Sequence, residues 1–204
     1  MAKIQTVDYE KMPSQAKQMR AEGKALNTEM TKAYKSIADM HSSWYGKRYN
    51  ELVKAFNSLV PQLNEMLELV VRDIPSTLET IANNYSQADR GQNATSVDNT
   101  GANKIQNLTI TNDVGLKFIT STVASVQKQV SSNFKNAKDK MNKIESMYSR
   151  ITWKSEASEA FASKFKKLKT NIITSFTNIE SQFSKLMEQT KSDVEKAEKA
   201  NTVN

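Results

Sequence analysis

The sequence predicts an all-α protein built from four long helices, and three observations lead to this fold class. Glycine and proline are scarce, with five and three copies in 204 residues, which suits long helices and not a turn-rich sandwich. Apolar residues recur at steps of three and four, the period of a helix with one buried face. The two tryptophans of the chain, Trp44 and Trp153, each lie in a short break between two such patterns. We therefore expect two helix–turn–helix hairpins packed antiparallel into one intrachain four-helix bundle.

The first hairpin is predicted from apolar stripes on both sides of Trp44. The stripe before it is a heptad seam that consists of Tyr9, Met12, Ala16, Met19, Gly23, Leu26, Met30, Ala33, Ile37 and Met40. The stripe after it repeats every 11 residues, which predicts nearly straight packing, and consists of Leu52, Phe56, Leu59, Leu63, Leu67, Val70, Ile74, Leu78, Ile81 and Tyr85. Pro61 and Pro75 interrupt this second pattern outside its stripe. We expect a curved or locally broken helix whose bend spares the core.

The second hairpin is predicted from an internal repeat. Adding 109 to each number of the stripe after Trp44 gives a matching stripe after Trp153 in which nine of the ten positions are apolar: Phe161, Phe165, Leu168, Ile172, Phe176, Ile179, Phe183, Met187, Thr190 and Val194. The segment before Trp153 carries a similar stripe, formed by Ile119, Val123, Val126, Val130, Ala137, Met141, Ile144, Tyr148 and Ile151. The shared spacing indicates a tandem duplication.

A polar, glycine-containing stretch between the halves reads as a linker. We divide the chain into a first hairpin at 1–89, a linker at 90–111, a second hairpin at 112–199 and a tail at 200–204. Part of the linker, residues 104–111, could be extended against the helices. A linker of this length can reach across a whole helix of the predicted size. We therefore expect the two tryptophan turns at opposite ends of the bundle.

The composition argues against several kinds of site. The chain has no cysteine and one histidine, His41, which we interpret as a cap at the carboxyl end of a helix. We find no helical metal-ligand pair or glycine-rich phosphate loop. No stretch of about 18 apolar residues occurs, so no membrane span is predicted. The sequence predicts no enzyme activity, no catalytic residue, no cofactor and no metal.

The two tryptophan turns carry a resemblance to a known family. Trp44-Tyr-Gly46 and the segment Trp153 to Phe161 resemble the turn of the WXG family, the early-secreted-antigen group exported by type VII systems. Its members are hairpins of about one hundred residues that pair antiparallel, and this chain resembles two of them fused. The resemblance implies a non-enzymatic secretion substrate or helper, folded as a monomeric intrachain pseudo-dimer. It also implies that the protein is secreted without a cleaved leader, or that it is associated with the cell surface. The implied partners are the type VII secretion ATPase and a larger co-secreted effector.

Candidate export residues follow from the same resemblance. Tyr85 and Asp89 match the family's Tyr-x-x-x-Asp signal, whereas the second half has Val194 and Glu198 at the corresponding positions. Ser155 replaces the glycine of the turn, and serine caps helices well. In a head-to-tail arrangement Tyr85 and Asp89 would lie beside the Trp153 turn, and the resemblance implies that the ATPase recognises such a composite end. The structural alternative is that both indole rings plug hairpin ends and Tyr85 packs at the end of the core.

A basic patch in the second half supports a different function. The net charge is +7, and residues 91–204 hold 17 Lys and Arg against 11 Asp and Glu. The densest cluster contains Lys164, Lys166, Lys167 and Lys169. The alternative to a secretion protein is therefore a basic bundle that binds a polyanion, either nucleic acid or an anionic cell surface or membrane. We favour a solvated helix face for these lysines and do not expect nucleic acid as a partner.

Overall fold

The computed structural model describes residues 7–151, 153 and 155–201. These residues are mostly helical, which confirms the all-α prediction at that level. The helices are α1 (Met12–Met40), α2 (Lys47–Glu68), α3 (Ile74–Arg90), α4 (Thr120–Ser149) and α5 (Glu156–Asn201), with a five-residue π-helical segment, Leu69–Asp73, between α2 and α3. Two short strands, β1 (Trp44–Tyr45) and β2 (Lys117–Phe118), form an antiparallel pair. Residues 1–6 of the predicted first hairpin and 202–204 of the predicted tail lie outside the described residues.

The predicted local break after Trp44 is the π segment. Pro75 lies in the first turn of α3 and has no N–H, so it cannot donate to the carbonyl of Val71, four residues earlier. Arg20 of α1 donates its Nε to that carbonyl at 3.0 Å instead. Pro61 is exposed, as expected, but Pro75 is buried. The expectation that both prolines avoid the core was therefore wrong for Pro75.

The π segment also explains why the core stripe changes register. A π turn holds one residue more than an α turn and so rotates the helix that follows it. The buried positions of α3 accordingly include Ala82 and Ser86. The next positions of the predicted stripe, Ile81 and Tyr85, are half-buried and exposed, respectively. Tyr85 thereby leaves the core.

The helices pack in antiparallel pairs. Along α4 the residue numbers rise as those of the facing α1 fall: Asn136 donates to Glu29 at 3.0 Å, and Lys140 pairs with Glu22 at 3.1 Å. Along α5 and α2, Lys164 lies 3.0 Å from Glu65, and Asp193 pairs with Arg48. The turn at Trp44 and the break at Trp153 therefore lie at opposite ends of the helices.

The core joins both halves of the chain. The ring of Phe134 in α4 stacks on Phe176 of α5 at 4.1 Å and lies 5.8 Å from Phe56 of α2. Gly23 lets α1 approach the π segment closely, because a β-carbon there would lie 2.8 Å from the methyl groups of Val70 and Val71. The repeated stripe of α5 is buried as predicted at seven positions, Phe165, Leu168, Ile172, Phe176, Ile179, Phe183 and Thr190.

The linker is an ordered extended segment. It leaves α3 at Gly91, whose φ of +69° ends the helix in a left-handed conformation. It then follows α3 and α2 back to the Trp44 turn, which confirms that residues 104–111 lie extended against the helices. Residues 112–119 continue this path, because α4 begins only at Thr120.

Candidate functional site

At the Trp44 turn the indole ring is fully buried among aromatic rings and the linker. Trp44 is 0% exposed, and its ring lies 5.9 Å from Phe183, 5.6 Å from Phe118 and 6.3 Å from Tyr49. β2 of the linker pairs with β1 so that Trp44 faces Phe118. The Ile119 N–H adds a hydrogen bond of 2.9 Å to the Ser43 carbonyl. The geometry gives Trp44 a packing role at the end of the hairpin.

Gly46 is required by the backbone of this turn. Its φ is +112°, a backbone conformation that residues other than glycine adopt only with strain. A β-carbon would also lie 3.4 Å from the Gly115 carbonyl oxygen of the linker. The Gly46 carbonyl accepts the N–H of Asn50 at 3.2 Å, the first hydrogen bond of α2. Glycine at this position therefore allows α2 to begin at Lys47, immediately after the turn.

His41 fastens the linker to the same turn. It follows the last residue of α1, as expected for a helix cap, and its Nε2 lies 2.7 Å from Oδ2 of Asp113. Thr111 also donates to that carboxylate. The hydrogen bond from His41 and then that from Thr111 lower the pKa of Asp113. The histidine thus holds the linker in place. Among the described residues, no group of three or more histidine and acidic side chains is placed to hold a metal ion.

The Trp153 turn is more open. Trp153 is half-buried and lines a cavity of about 410 Å³ together with Tyr148, Ile151, Ala162 and Phe165. Ser155 precedes α5, and its Oγ accepts the N–H of Ser158 at 3.2 Å. Ser158 Oγ accepts the N–H of Ser155 at 2.9 Å. These reciprocal bonds form a capping box made of two serines, so Ser155 caps the helix as predicted.

The two candidate export residues are tied to the segment before α1. Tyr85 is 39% exposed and stacks on Tyr9, with ring centroids 6.4 Å apart and an interplanar angle of 8°. The Tyr9 hydroxyl donates to Asp89 at 2.5 Å, which raises the pKa of this phenol. Arg90 pairs with Glu10 and lies 5.8 Å above the Tyr9 ring. The Tyr-x-x-x-Asp motif thus forms one side of a small exposed cluster.

This cluster shares an end of the molecule with the Trp153 turn. Gln15, in the first turn of α1, donates to the Arg150 carbonyl at 3.4 Å. Because Tyr9 lies just before α1, the aromatic pair of Tyr9 and Tyr85 lies at the same end as Trp153. Trp44 and Gly46 lie at the other end, so the structure separates the two candidate motifs of the first half.

The basic patch is partly neutralised. Lys164 pairs with Glu65 at 3.0 Å, and Lys169 pairs with Glu145 at 2.5 Å. Lys166 and Lys167 are exposed, and Lys166 reaches the rim of the Trp153 cavity. The two ion pairs reduce the positive potential that a polyanion would meet.

A ladder of three asparagines on α2 was not predicted. Asn64 donates to the Ile105 carbonyl at 3.0 Å and accepts the Ile105 N–H at 2.8 Å. Asn57 makes the same two bonds to Leu108 at 2.9 and 2.7 Å, and Asn50 to Thr111 at 2.7 and 3.2 Å. The asparagines are spaced by seven residues and their linker partners by three. The heptad spacing is visible in the sequence, but asparagine on a helix is ordinarily a solvated residue.

A buried ion pair was also not predicted from the sequence. The Arg20 guanidinium contacts Glu79 through two nitrogens, at 2.9 and 3.2 Å. The linker forms hydrogen bonds with both members of this pair. The Asp98 carbonyl accepts from Arg20, and the Asp98 N–H donates to Glu79, both at 2.9 Å. Since buried charges are stable only when paired and hydrogen-bonded, this network fixes the first part of the linker against α1 and α3.

The comparison with protein families finds a similarity in the first part of the chain. Residues 5–90 match the family model of WXG100, described as proteins of 100 residues with WXG. The matched segment includes α1, the Trp44 turn and the helical path to Arg90. That family is associated with type VII secretion substrates and is not known for enzymes. No curated protein and no solved structure matches the chain significantly. Among the described helices, none has the length and apolar character needed to cross a membrane.

Proposed function

We propose that this chain is a non-enzymatic substrate or helper of a type VII secretion system, in which one polypeptide supplies two paired WXG-like hairpins. The observation that carries the proposal is the match of residues 5–90 to WXG100, in a segment that folds as helix, Trp44 turn and helix. A protein of this kind acts through its surface and requires no cofactor. The proposed tandem units are residues 1–89 and 112–199, with the linker at 90–111 and the tail at 200–204. The extended path of the linker continues through residues 112–119 to the start of α4.

The second half supports the pseudo-dimer. It repeats the Trp44 turn of the first half as the Trp153 break, 109 residues later, and buries the equivalent stripe along α5. It packs antiparallel on the first half, as Lys140 with Glu22 and Lys164 with Glu65 indicate. The partner that a single hairpin needs to cover its apolar face is therefore supplied within the chain. The isolated protein is accordingly a monomer.

The export signal in this proposal is the end of the molecule that carries Tyr85, Asp89 and Trp153. The accessibility of these side chains supports this assignment. Tyr85 is 39% exposed and Trp153 is half-buried beside an open cavity, whereas Trp44 is fully buried. The secretion ATPase would read this composite end. The protein would leave the cell folded, without a cleaved leader, and a larger co-secreted effector would be a second partner.

The test compares export with stability. Deleting the type VII ATPase should remove the protein from the culture medium while leaving its level in the cell. Tyr85→Ala should lower export, but its unfolding midpoint should change little because the side chain is exposed. The matched control is Tyr9→Phe, which removes the hydrogen bond to Asp89 and keeps the ring beneath Tyr85.

Three results would reject the proposal. Export that continues without the ATPase would reject the secretion route. Normal export of Tyr85→Ala would reject this tyrosine as a signal. Equal export defects in Tyr9→Phe and Tyr85→Ala, each in proportion to lost stability, would make the cluster structural.

A further inference from the structure

The three asparagines of the ladder on α2 form hydrogen bonds with the main chain of the linker and not with its side chains. Each asparagine and its linker residue are called a rung. In each rung a single side-chain amide accepts the N–H and donates to the carbonyl of the same linker residue, at 2.7 to 3.2 Å. Such an amide pairs with the N–H and C=O groups of an extended backbone, as a neighbouring β-strand would. These hydrogen bonds therefore select the backbone conformation and register of the bound segment, and they do not themselves distinguish between side chains.

The spacing of the rungs fits an extended polypeptide. Seven residues of an α-helix advance about 10.5 Å, and three residues of extended or polyproline-like chain advance about 9–10 Å. Two asparagines seven residues apart thus meet linker residues three apart. The numbers run in opposite directions, from Asn64 with Ile105 to Asn50 with Thr111, so the bound segment is antiparallel to α2.

Side-chain burial along the segment follows the same period of three. Ile105 is 5% exposed, Leu108 and Thr111 are half-buried, and the four residues between them, at 106, 107, 109 and 110, are exposed. The rung positions therefore favour apolar or small residues, with the tightest preference at the Asn64 rung. The positions between rungs face outward and are free to vary.

The ladder is not a general part of the hairpin. The positions 109 residues after its asparagines are Glu159, Lys166 and Ile173, which cannot make these paired bonds. The second half forms its helices and packs its core without them. A backbone-reading face is thus a feature of α2 beyond what helix pairing needs.

We propose that the α2 face carrying Asn50, Asn57 and Asn64 is a binding site for an extended segment of another polypeptide, which the chain's own linker occupies in cis. The segment it takes runs antiparallel to α2 and has an apolar or small residue at every third position. The tethered linker competes with a segment in trans through its high local concentration. The site is therefore closed in the free protein and opens where the linker is displaced.

The test uses a fluorescent peptide of residues 101–113 and two forms of the full chain. One form is the native protein, and the other has residues 103–112 replaced by alternating glycine and serine of the same length. Anisotropy should show saturable binding to the replaced form, at least about tenfold tighter than to the native chain, because tethering favours the native linker. Equal affinity for both forms, or no binding to the replaced form, would overturn the proposal.

Two single substitutions in the replaced form locate the site. Asn57→Leu removes both bonds of the central rung and should weaken the peptide about tenfold. Asn171→Leu, at an exposed position on α5, is the matched control and should leave the affinity unchanged. A peptide with its apolar residues moved one position out of the three-residue register should also bind about tenfold more weakly. Equal effects of the two substitutions would contradict the proposed site.

Amide exchange in the native chain checks the ladder without relying on a variant's folding. The amides of Ile105, Leu108 and Thr111 should be protected, and those at 106, 107, 109 and 110 should exchange rapidly. Asn57→Leu in the native chain should release Leu108 first. Uniform exchange along 105–111 would refute a backbone-reading ladder.

Discussion

The two tryptophan turns occupy opposite ends of the molecule and differ in how they are covered. Trp44 is 0% exposed, enclosed by Phe118 of the linker and Phe183 of α5. Trp153 is half-buried and lines an open cavity of about 410 Å³. The sequence motif is similar at both ends, but the linker passes only the first on its way into α4. The surroundings, and not the tryptophan itself, decide which end is sealed.

The residue two positions after each tryptophan reflects this difference. At the sealed end, Gly46 has a φ of +112° and faces the Gly115 carbonyl of the linker. At the open end, Ser155 caps α5 through its hydroxyl. A backbone with this positive φ favours glycine, whereas a helix start that faces solvent gains from a serine cap. The degenerate second motif is thus compatible with a capped start of α5.

Removal of each indole ring should destabilise the two ends to very different extents. Trp44→Ala should lower the free energy of unfolding by about 3–5 kcal/mol, because a fully buried ring leaves a cavity. Trp153→Ala should cost less than half as much, since its ring is already partly solvated. Urea unfolding followed by circular dichroism measures both. Equal losses would show that the two ends are equivalent in packing.

Substitutions of Gly46 and Ser155 should differ in how much they destabilise the protein. Gly46→Ala should cost about 1–3 kcal/mol, because alanine is strained at this φ. Ser155→Ala should cost about 1 kcal/mol through the lost cap, and Ser155→Gly only a few tenths. Thermal unfolding of the three variants gives the ranking. A Gly46→Ala variant as stable as the native chain would contradict the described turn.

Opening the sealed end should have a smaller and local effect. Phe118→Ala removes the linker ring that covers Trp44 and should cost about 1–2 kcal/mol. The emission of Trp44 should shift to longer wavelength as water reaches the indole. The measurement is made in a Trp153→Phe background so that Trp44 alone is observed. An unchanged emission maximum would mean that Phe118 does not shield the ring.

The smallest effect concerns acid stability at the sealed end. The pKa of Asp113 is lowered by His41 and then by Thr111. Its contribution to stability is therefore present above the unfolded carboxyl pKa and is lost as pH falls through the lower folded value. Asp113→Asn should reduce stability at neutral pH and flatten the decline below about pH 4. Parallel acid profiles for the native chain and the Asp113→Asn variant would exclude this contribution.

The sequence was sufficient for features that rest on local periodicity. The stripes of α1 and α5 predicted the buried residues of those helices, and the polar stretch after α3 predicted a linker. The extended course of residues 104–111 also followed from the chain itself. The coarse fold was therefore predictable because its signal repeats over many turns.

Features that depend on one irregular position or on distant pairing were not predictable. The π segment turned Tyr85 out of the core, and a stripe counted at α-helical spacing cannot reveal that shift. The Arg20–Glu79 pair joins residues 59 apart, and lone charges are ordinarily placed on the surface. The asparagine ladder likewise becomes recognisable only when the linker lies beside α2.

The head-to-tail pairing of the two halves is tested most directly by one distance between spin labels at Lys47→Cys and Ser149→Cys. The chain has no cysteine, so both labels are unique. A pair at Lys47→Cys and Lys117→Cys serves as the short-distance control, because β2 lies against β1. Since α4 starts at the Trp44 turn and has 30 residues, head-to-tail pairing predicts about 45 Å between the first two labels. A distance of about 20 Å or less, with both tryptophan turns at one end, would contradict it.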